Sequence, residues 1–377
     1  MNVLFDARAM FGKFGGGIPE YTKLLLFHML QLGFGKECVL FLNSFFKRSP
    51  YPDFVKEIPS IDWGIPNRGI ELSSLLFHFP LMGFFRKYDV LFKPHFHPLL
   101  AAPGTATVIT FHDLSFERFP EFFSPRKKFW HTRQGPCRQA KNAEKIIAIS
   151  ESTKNDLMEY YKISEDRISV IYSGVNPFFG ISPDQESLGK FTKEKNIFAP
   201  FLFFVGTIEP RKNISGIIRA FEMLKSEKGF FSLKLVLAGS PGWLHEEIFE
   251  RIKNSPYRND IVFLGKVSDE ELRILYRLAS VFVFPSFFEG FGFPPLEAQM
   301  SGTPVVSSKE GSLPEILSDS AEYVDPKNIE SIAGGIKKVL EAEELRESLI
   351  KRGFENVKRF SWEETARRTI ETIKDSV

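Results

Sequence analysis

The sequence predicts an α/β protein built from two doubly wound, Rossmann-like domains, and three observations carry that prediction. The chain has 377 residues, more than one hydrophobic core ordinarily supports. Apolar, β-rich runs recur along it, each followed by a glycine-rich or polar turn and then a segment of helical period, the pattern of parallel α/β layers. The series also stops and restarts across "SGVNPFFGISPDQES", a stretch of Gly, Pro, Ser and Asp that reads as a linker near residues 174–187. The expected division is 1–176 and 177–360, with a cleft between the two domains.

In the first half the strand candidates are 2–7, 38–43, 88–94, 106–111, 145–150 and 168–173. In the second half they are 201–206, 233–239, 261–265, 281–286 and 304–308. A final helix is predicted from Ser361, a good N-cap followed by acidic residues in the first turn.

Composition narrows the classes of function. The formal charge is +2 and the isoelectric point is near 8.3, so no nucleic-acid partner is expected. The two cysteines, Cys38 and Cys137, are far apart and lack metal-ligand spacing, which fits a reducing, cytosolic compartment and no structural zinc. The most apolar window, "SLLFHFPLMGFF", is broken by His78 and Pro80 and falls short of the ~20 residues a spanning helix needs. The 41 phenylalanines are read as codon bias and core filling, with no site assigned to them.

Ligands of open parallel sheets bind beyond the carboxyl ends of the strands, which directs attention to the turns. After the first strand, Gly15, Gly16 and Gly17 precede Pro19. Such a turn offers free N–H groups and a helix dipole to an anion, and a purely structural turn is the competing reading. Its spacing is not that of a dinucleotide fingerprint, which argues against a nicotinamide oxidoreductase. In "FLFFVGTIEPRKNISG" a strand ending at Gly206 leads to Arg211 and Lys212, with Asn213 as the expected N-cap. Two cations at a helix start oppose its dipole, so an anion held between them is the economical explanation.

"FFEGFGFPPLEAQMSGTP" sets Glu289 in a loop and Glu297 in the first turn of a helix opened by Pro294-Pro295. The N–H groups of Phe291, Gly292 and Phe293 are available between them. Each glutamate can therefore address a different part of one ligand, although Glu297 taken by itself reads as an acidic residue suited to a helix first turn. His95 and His97 resemble a metal pair, but two ligands do not make a site, and strand-end packing is the preferred role. No D-x-D sequence is present to hold a divalent cation.

With "GGGIPEYT", "FHDLSFERFPEFFS" followed by "IIAISESTKNDL", "EPRKN" and "EGFGFPPLE" in that order, the chain resembles glycosyltransferase family 4, and within it the bacterial O-antigen mannosyltransferases. The resemblance spans nearly the whole chain. It implies the GT-B fold, retention of configuration, and a last helix, 361–377, packed back on the first domain.

It further implies that Glu289 meets the donor sugar near its reacting carbon and that Glu297 meets the ribose. Phe291 and Gly292 would serve sugar hydroxyls through their N–H groups. Arg211 and Lys212 would hold the pyrophosphate, His112 would lie against the transferred sugar from the opposite domain, and Lys266 and Val267 would fall in the base-contacting segment. Pro19-Glu20 departs from the Gly-Arg that often follows the glycine pair in relatives, so acceptor contacts from that loop do not carry over.

The expected partners are a nucleotide sugar, GDP-mannose first and a UDP-sugar as the alternative, and a glycan or lipid-linked saccharide acceptor. No cofactor or divalent metal is expected. A glycosidase and a non-catalytic sugar-nucleotide binder are the rivals. Arg126, Lys127, Arg133, Arg138, Lys141 and Lys145 would share one broad arc of a helix, interrupted at Gly135-Pro136, and offer either a solvated basic face or a peripheral contact with anionic lipid.

Overall fold

The computed structural model describes residues 1–11, 16–43, 52–64, 66–67, 69–70, 88–198 and 200–377. Gly15 and the apolar window at 74–85 lie outside the described residues. The chain divides into two compact units. The first takes in Met1–Arg118, Pro125–Gly174 and Ser361–Val377, and the second takes in Phe119–Ser124 and Val175–Phe360.

The first unit holds a seven-stranded parallel sheet made of β1 (Val3–Asp6), β2 (Cys38–Phe41), β3 (Ser60–Ile61), β4 (Val90–Lys93), β5 (Ala106–Phe111), β6 (Lys145–Ala148) and β7 (Ile168–Val170). Its order is β3-β2-β1-β4-β5-β6-β7. The second unit holds β8 (Phe201–Val205), β9 (Lys234–Ala238), β10 (Ile261–Phe263), β11 (Val281–Phe284), β12 (Val305–Ser308) and β13 (Glu322–Val324). These run in the order β10-β9-β8-β11-β12-β13. Both are doubly wound sheets, so each has a switch point where the order reverses, between β1 and β4 and between β8 and β11.

The central strands read as unbroken apolar runs because helices cover both their faces. Phe201, Phe203, Phe204, Phe282 and Phe284 are all fully buried, which accounts for part of the phenylalanine content. In the first unit the helix Trp362–Lys374 packs against the helix Gly17–Gln31, with the rings of Tyr21 and Trp362 5.7 Å apart. Thr365 Oγ1 donates to the carbonyl of Tyr172 at 2.8 Å.

β3 and β13 have no counterpart among the strands expected from the sequence. β3 is two residues long, and β13 begins with Glu322 at the edge of its sheet. Neither offers the apolar run that marks a buried strand.

Candidate active site

The turn after β8 places Arg211 and Lys212 in the single 3-10 turn Pro210–Lys212, immediately ahead of the helix Ile214–Lys225. Asn213 occupies the N-cap position with φ 56° but does not cap with its side chain, contrary to the sequence expectation. Its Nδ2 instead donates to the carbonyls of Pro285 and Pro326, at 3.1 and 2.7 Å. A residue in the left-handed region turns its side chain away from the helix start, and Asn tolerates that region better than most. The consequence is that the turn after β8 is tied to the end of β11, across the switch point.

From β11 the chain enters the loop bearing Glu289. Phe287 N–H donates to the Arg211 carbonyl at 2.9 Å. Arg211 Nη1 donates to the Phe288 carbonyl at 2.5 Å. The two loops therefore hold each other before any charge is considered.

The charges then close on one another. Lys212 Nζ lies 2.6 and 2.8 Å from the two Glu289 oxygens, and Arg211 Nη1 lies 3.2 Å from Oε2. Arg211 Nη2 reaches Glu209 Oε1 at 2.8 Å. Glu289, Lys212 and Glu209 are buried, with exposures of 6, 9 and 2%.

Burial pushes the Glu289 carboxyl up, but Lys212 and Arg211 outweigh it and hold its pKa below the ordinary value. For Glu209, burial wins over Arg211 and Lys212 and its pKa is raised. Burial likewise lowers Lys212 against the opposing pull of Glu289. The cluster is thus two cations facing one firmly ionised carboxylate, with a second carboxyl whose charge is the least favoured.

Beyond Glu289, Gly292 stands at φ 119°, a conformation that favours glycine, and caps the helix Phe293–Met300. That helix opens one residue before Pro294, so Glu297 lies in its second turn and not its first. Glu297 accepts a hydrogen bond at Oε2 from Tyr276 Oη, 2.8 Å away. Tyr276 is fully buried and its pKa is raised, first by burial and then by Glu297, so the phenol stays a donor.

Ser312 Oγ fixes the loop from behind, donating to the carbonyls of Glu289 and Phe291 at 3.0 and 2.8 Å. The N–H groups of Phe291 and Gly292 have no partner among the described residues, while Phe293 packs its ring 5.0 Å from that of Phe291. Gly206 follows β8 directly, and its carbonyl lies against Gly239, where an added Cβ would come within 1.8 Å of that oxygen. Lys266 and Val267 follow β10, the edge strand, with Lys266 exposed.

In the first unit the helix Gly17–Gln31 begins at Gly17, two residues before Pro19, with Gly16 as its N-cap at φ 116°. His112 follows β5 directly, buried, with Nε2 2.8 Å from the Pro94 carbonyl. Its partner is an acceptor, so Nε2 carries the proton and Nδ1 is left as an acceptor. Burial lowers its pKa to about 4, with the Pro94 bond opposing, so the ring is neutral.

The rings of His95 and His97 lie 4.8 Å apart, and those of His95 and His112 lie 5.8 Å apart. Among the described residues no three of His, Cys, Asp and Glu are grouped to hold a metal ion. The basic segment forms two helices, Pro125–Gln134 and Pro136–Asn142, joined at Gly135 with φ 63°. Arg126, Lys127, Lys128, Arg133, Arg138 and Lys141 are exposed. Lys145 leaves the arc, because it begins β6 and donates to the Asp166 carbonyl at 3.2 Å. Among the described residues no helix is long and apolar enough to cross a membrane.

Sequence reasoning missed three contributors. Glu209 stands in the same turn as Arg211, and its two-residue spacing was a usable signal. Tyr276 and Ser312 had none, since they reach the site from other elements of the second unit.

A family model described as glycosyl transferases group 1 matches residues 187–356, and one described as glycosyltransferase family 4 matches residues 15–178. The chain is similar to O-antigen chain mannosyltransferase B of Escherichia coli, with 32% identity over 267 residues covering 71% of this chain and 70% of that protein. Its fold is similar to sucrose-phosphate synthase from Thermosynechococcus elongatus, with a TM-score of 0.79 and 19% identity over 100% of this chain and 99% of that one. It is also similar to HepE of Anabaena in complex with UDP and glucose, with a TM-score of 0.73 and 16% identity over the whole of both chains.

Proposed function

Because the chain belongs to glycosyltransferase family 4, we propose that it moves mannose from GDP-mannose to a glycan or lipid-linked saccharide during synthesis of a cell-surface polysaccharide. Transfer proceeds with retention and without a divalent metal. The observation that carries this reading is the pairing of Arg211 and Lys212 with Glu289 at the switch point of the second sheet.

Breaking the bond between an anomeric carbon and a diphosphate creates an anionic leaving group and a cationic sugar. Fixed cations in a desolvated site serve the first, since they need no reorganisation as charge develops. An ionised carboxylate beside them serves the second. In the ligand-free arrangement the same groups neutralise each other, so the incoming pyrophosphate competes with Glu289 for Arg211 and Lys212. Glu289 then either attacks the sugar or steadies its positive charge while the acceptor enters from the departing face.

Glu297, held by Tyr276, takes the ribose hydroxyls, and the N–H groups of Phe291 and Gly292 take sugar hydroxyls. Lys266 and Val267 lie along the base, and the Gly16-Gly17 turn serves the acceptor side. His112, neutral and with Nδ1 accepting, receives a hydrogen bond from a sugar hydroxyl. The enzyme works in the cytoplasm. It docks peripherally on the inner membrane face through the helix Pro125–Gln134, whose exposed Phe129 and Trp130 stand among its cations.

A thermal-shift screen of nucleotide sugars tests the donor, because a tight ligand stabilises the folded protein with the logarithm of its concentration over Kd. The reading expects the largest shift with GDP-mannose. A larger shift with a UDP-sugar replaces the donor, and no shift with any nucleotide sugar rejects the reading.

A further inference from the structure

The second unit takes in six residues from the first half of the sequence, Phe119–Ser124, and these residues do not touch it at random. The ring of Phe122 stacks on Phe287 at 5.3 Å and 17°. Phe119 lies 5.5 Å from Phe288, and the two segment rings lie 5.8 Å from each other. Phe123 stacks on Trp243 at 5.4 Å and 21°, and Trp243 Nε1 donates to the Phe122 carbonyl at 2.6 Å.

Phe287 and Phe288 are the two residues before Glu289, and Arg211 holds both from the other side through its carbonyl and its guanidinium. Trp243 stands on the loop after β9, which is itself fastened to the turn after β8 by Gly242 N–H donating to the Ile208 carbonyl at 2.9 Å. One short segment therefore grips the shoulder of the Glu289 loop and the loop beside the Arg211 turn.

Offset and edge-on aromatic contacts have preferred geometries, so this grip fixes direction as well as position. The Trp243 bond is directional in the same sense. Phe287 and Phe288 adjoin Glu289 in sequence, so holding their rings constrains the backbone that carries it, with no residue of the segment needing to reach a substrate.

We propose that Phe119–Ser124 is a positioning strap for the active site, with Phe122 and Phe119 setting the Glu289 loop and Trp243 latching the strap. Its catalytic consequence rests on the function proposed above, whereas its structural consequence does not.

The test compares Phe122→Ala, Phe122→Tyr and Trp243→Phe with the wild-type full chain in two measurements. Hydrogen exchange followed by mass spectrometry is expected to show amides 286–292 and 207–213 exchanging at least about tenfold faster in Phe122→Ala. Those of β9 and of the helix Trp362–Lys374 should keep their wild-type rates. Kinetics with GDP-mannose should show kcat down about tenfold and KM within about threefold, the signature of lost transition-state alignment rather than lost binding.

Phe122→Tyr keeps the stack and should restore both readouts. Trp243→Phe keeps a smaller ring against Phe123 and removes the N–H bond to the Phe122 carbonyl, so it should move both measurements the same way by less. It also carries the test if Phe122→Ala does not fold. Wild-type exchange at 286–292 in Trp243→Phe and Phe122→Ala, with kcat unchanged, overturns the strap. A wild-type protein that transfers from no nucleotide sugar overturns the proposed function instead, and the exchange result then decides the strap alone.

Discussion

The two sheets share a topology and differ at the place where that topology puts a ligand. Beyond β8 and β11 the second unit gathers Arg211, Lys212, Glu209 and Glu289 into a buried ionic cluster. Beyond β1, β4 and β5 the first unit gathers imidazoles. His97 and His112 are pushed to about 4 by burial, and His95 is pushed well below its ordinary value. Beside them Arg8 and Asp6 are closed off in a bidentate pair, Arg8 donating to Asp6 at 2.7 and 2.6 Å. Lys93 beside them is lowered by burial to about 7.

The same backbone address is thus charged in one unit and close to neutral in the other. The difference lies in the strand ends and the turns that follow them, which is why fold alone does not assign a function. Under the proposed function, the charged address takes the diphosphate and the neutral one the hydroxyl-rich saccharide.

The sharpest way to break this contrast is to remove the charge that both cations share. Glu289→Gln is expected to lower kcat by roughly 10²–10³-fold while donor affinity, read by calorimetry with GDP-mannose, is preserved or tightened, since Glu289 no longer competes for the two cations. Near-normal transfer would remove Glu289 from the chemistry. In the free protein burial is outweighed by Lys212 and Arg211, which hold its pKa below the ordinary carboxylate value, so it enters the reaction ionised.

A smaller loss is expected from Glu209→Ala, about 10–100-fold in kcat/KM, since Arg211 keeps the Phe288 carbonyl and loses one of its two carboxylate partners. An unchanged rate would show that Arg211 is held well enough without it.

In the first unit the contrast predicts acid sensitivity. His97 and His112 are neutral when folded down to about pH 4 and take up protons near 6.5 when unfolded. The unfolded state therefore binds more protons in that window. Stability is full above pH 6.5 and falls towards pH 4, by at most about 3 kcal/mol per histidine. Scanning calorimetry of His97→Gln/His112→Gln should show a flatter dependence over this range, and an identical slope would contradict the neutral cluster. Lys93 acts in the opposite range, with stability rising as pH climbs from about 7 towards 10.5.

The smallest effect is expected at the surface. Phe129→Ala/Trp130→Ala should reduce flotation with anionic liposomes about two- to fivefold, and equal flotation with neutral and anionic vesicles would dismiss membrane docking.

Much of this was legible in the sequence, for reasons that are physical. Strands buried on both faces must be apolar throughout, so β1, β8, β9 and β11 announce themselves, and the residues that follow them are where ligands go. The cations of the β8 turn were legible because two positive charges before a helix start need a reason.

What escaped depends on distance along the chain. Tyr276 reaches Glu297 from 21 residues away, and Ser312 reaches Phe291 from a similar separation on the other side. Phe119–Ser124 fell inside the expected first domain, 1–176, because no local pattern says which unit an aromatic cluster will join. Asn213 was placed correctly at a helix start and given the wrong job, since its left-handed backbone redirects a side chain that an extended N-cap would aim at the helix.

The claim beneath all of these is that protein cations at the β8 turn neutralise the departing pyrophosphate, and one experiment addresses it. Initial rates of transfer from GDP-mannose are measured for wild type and for Arg211→Ala/Lys212→Ala, each with and without excess chelator. The account predicts a wild-type rate indifferent to the chelator and a double variant slower by about a hundredfold or more. Loss of wild-type transfer on chelation, or a double variant at the wild-type rate, would contradict it.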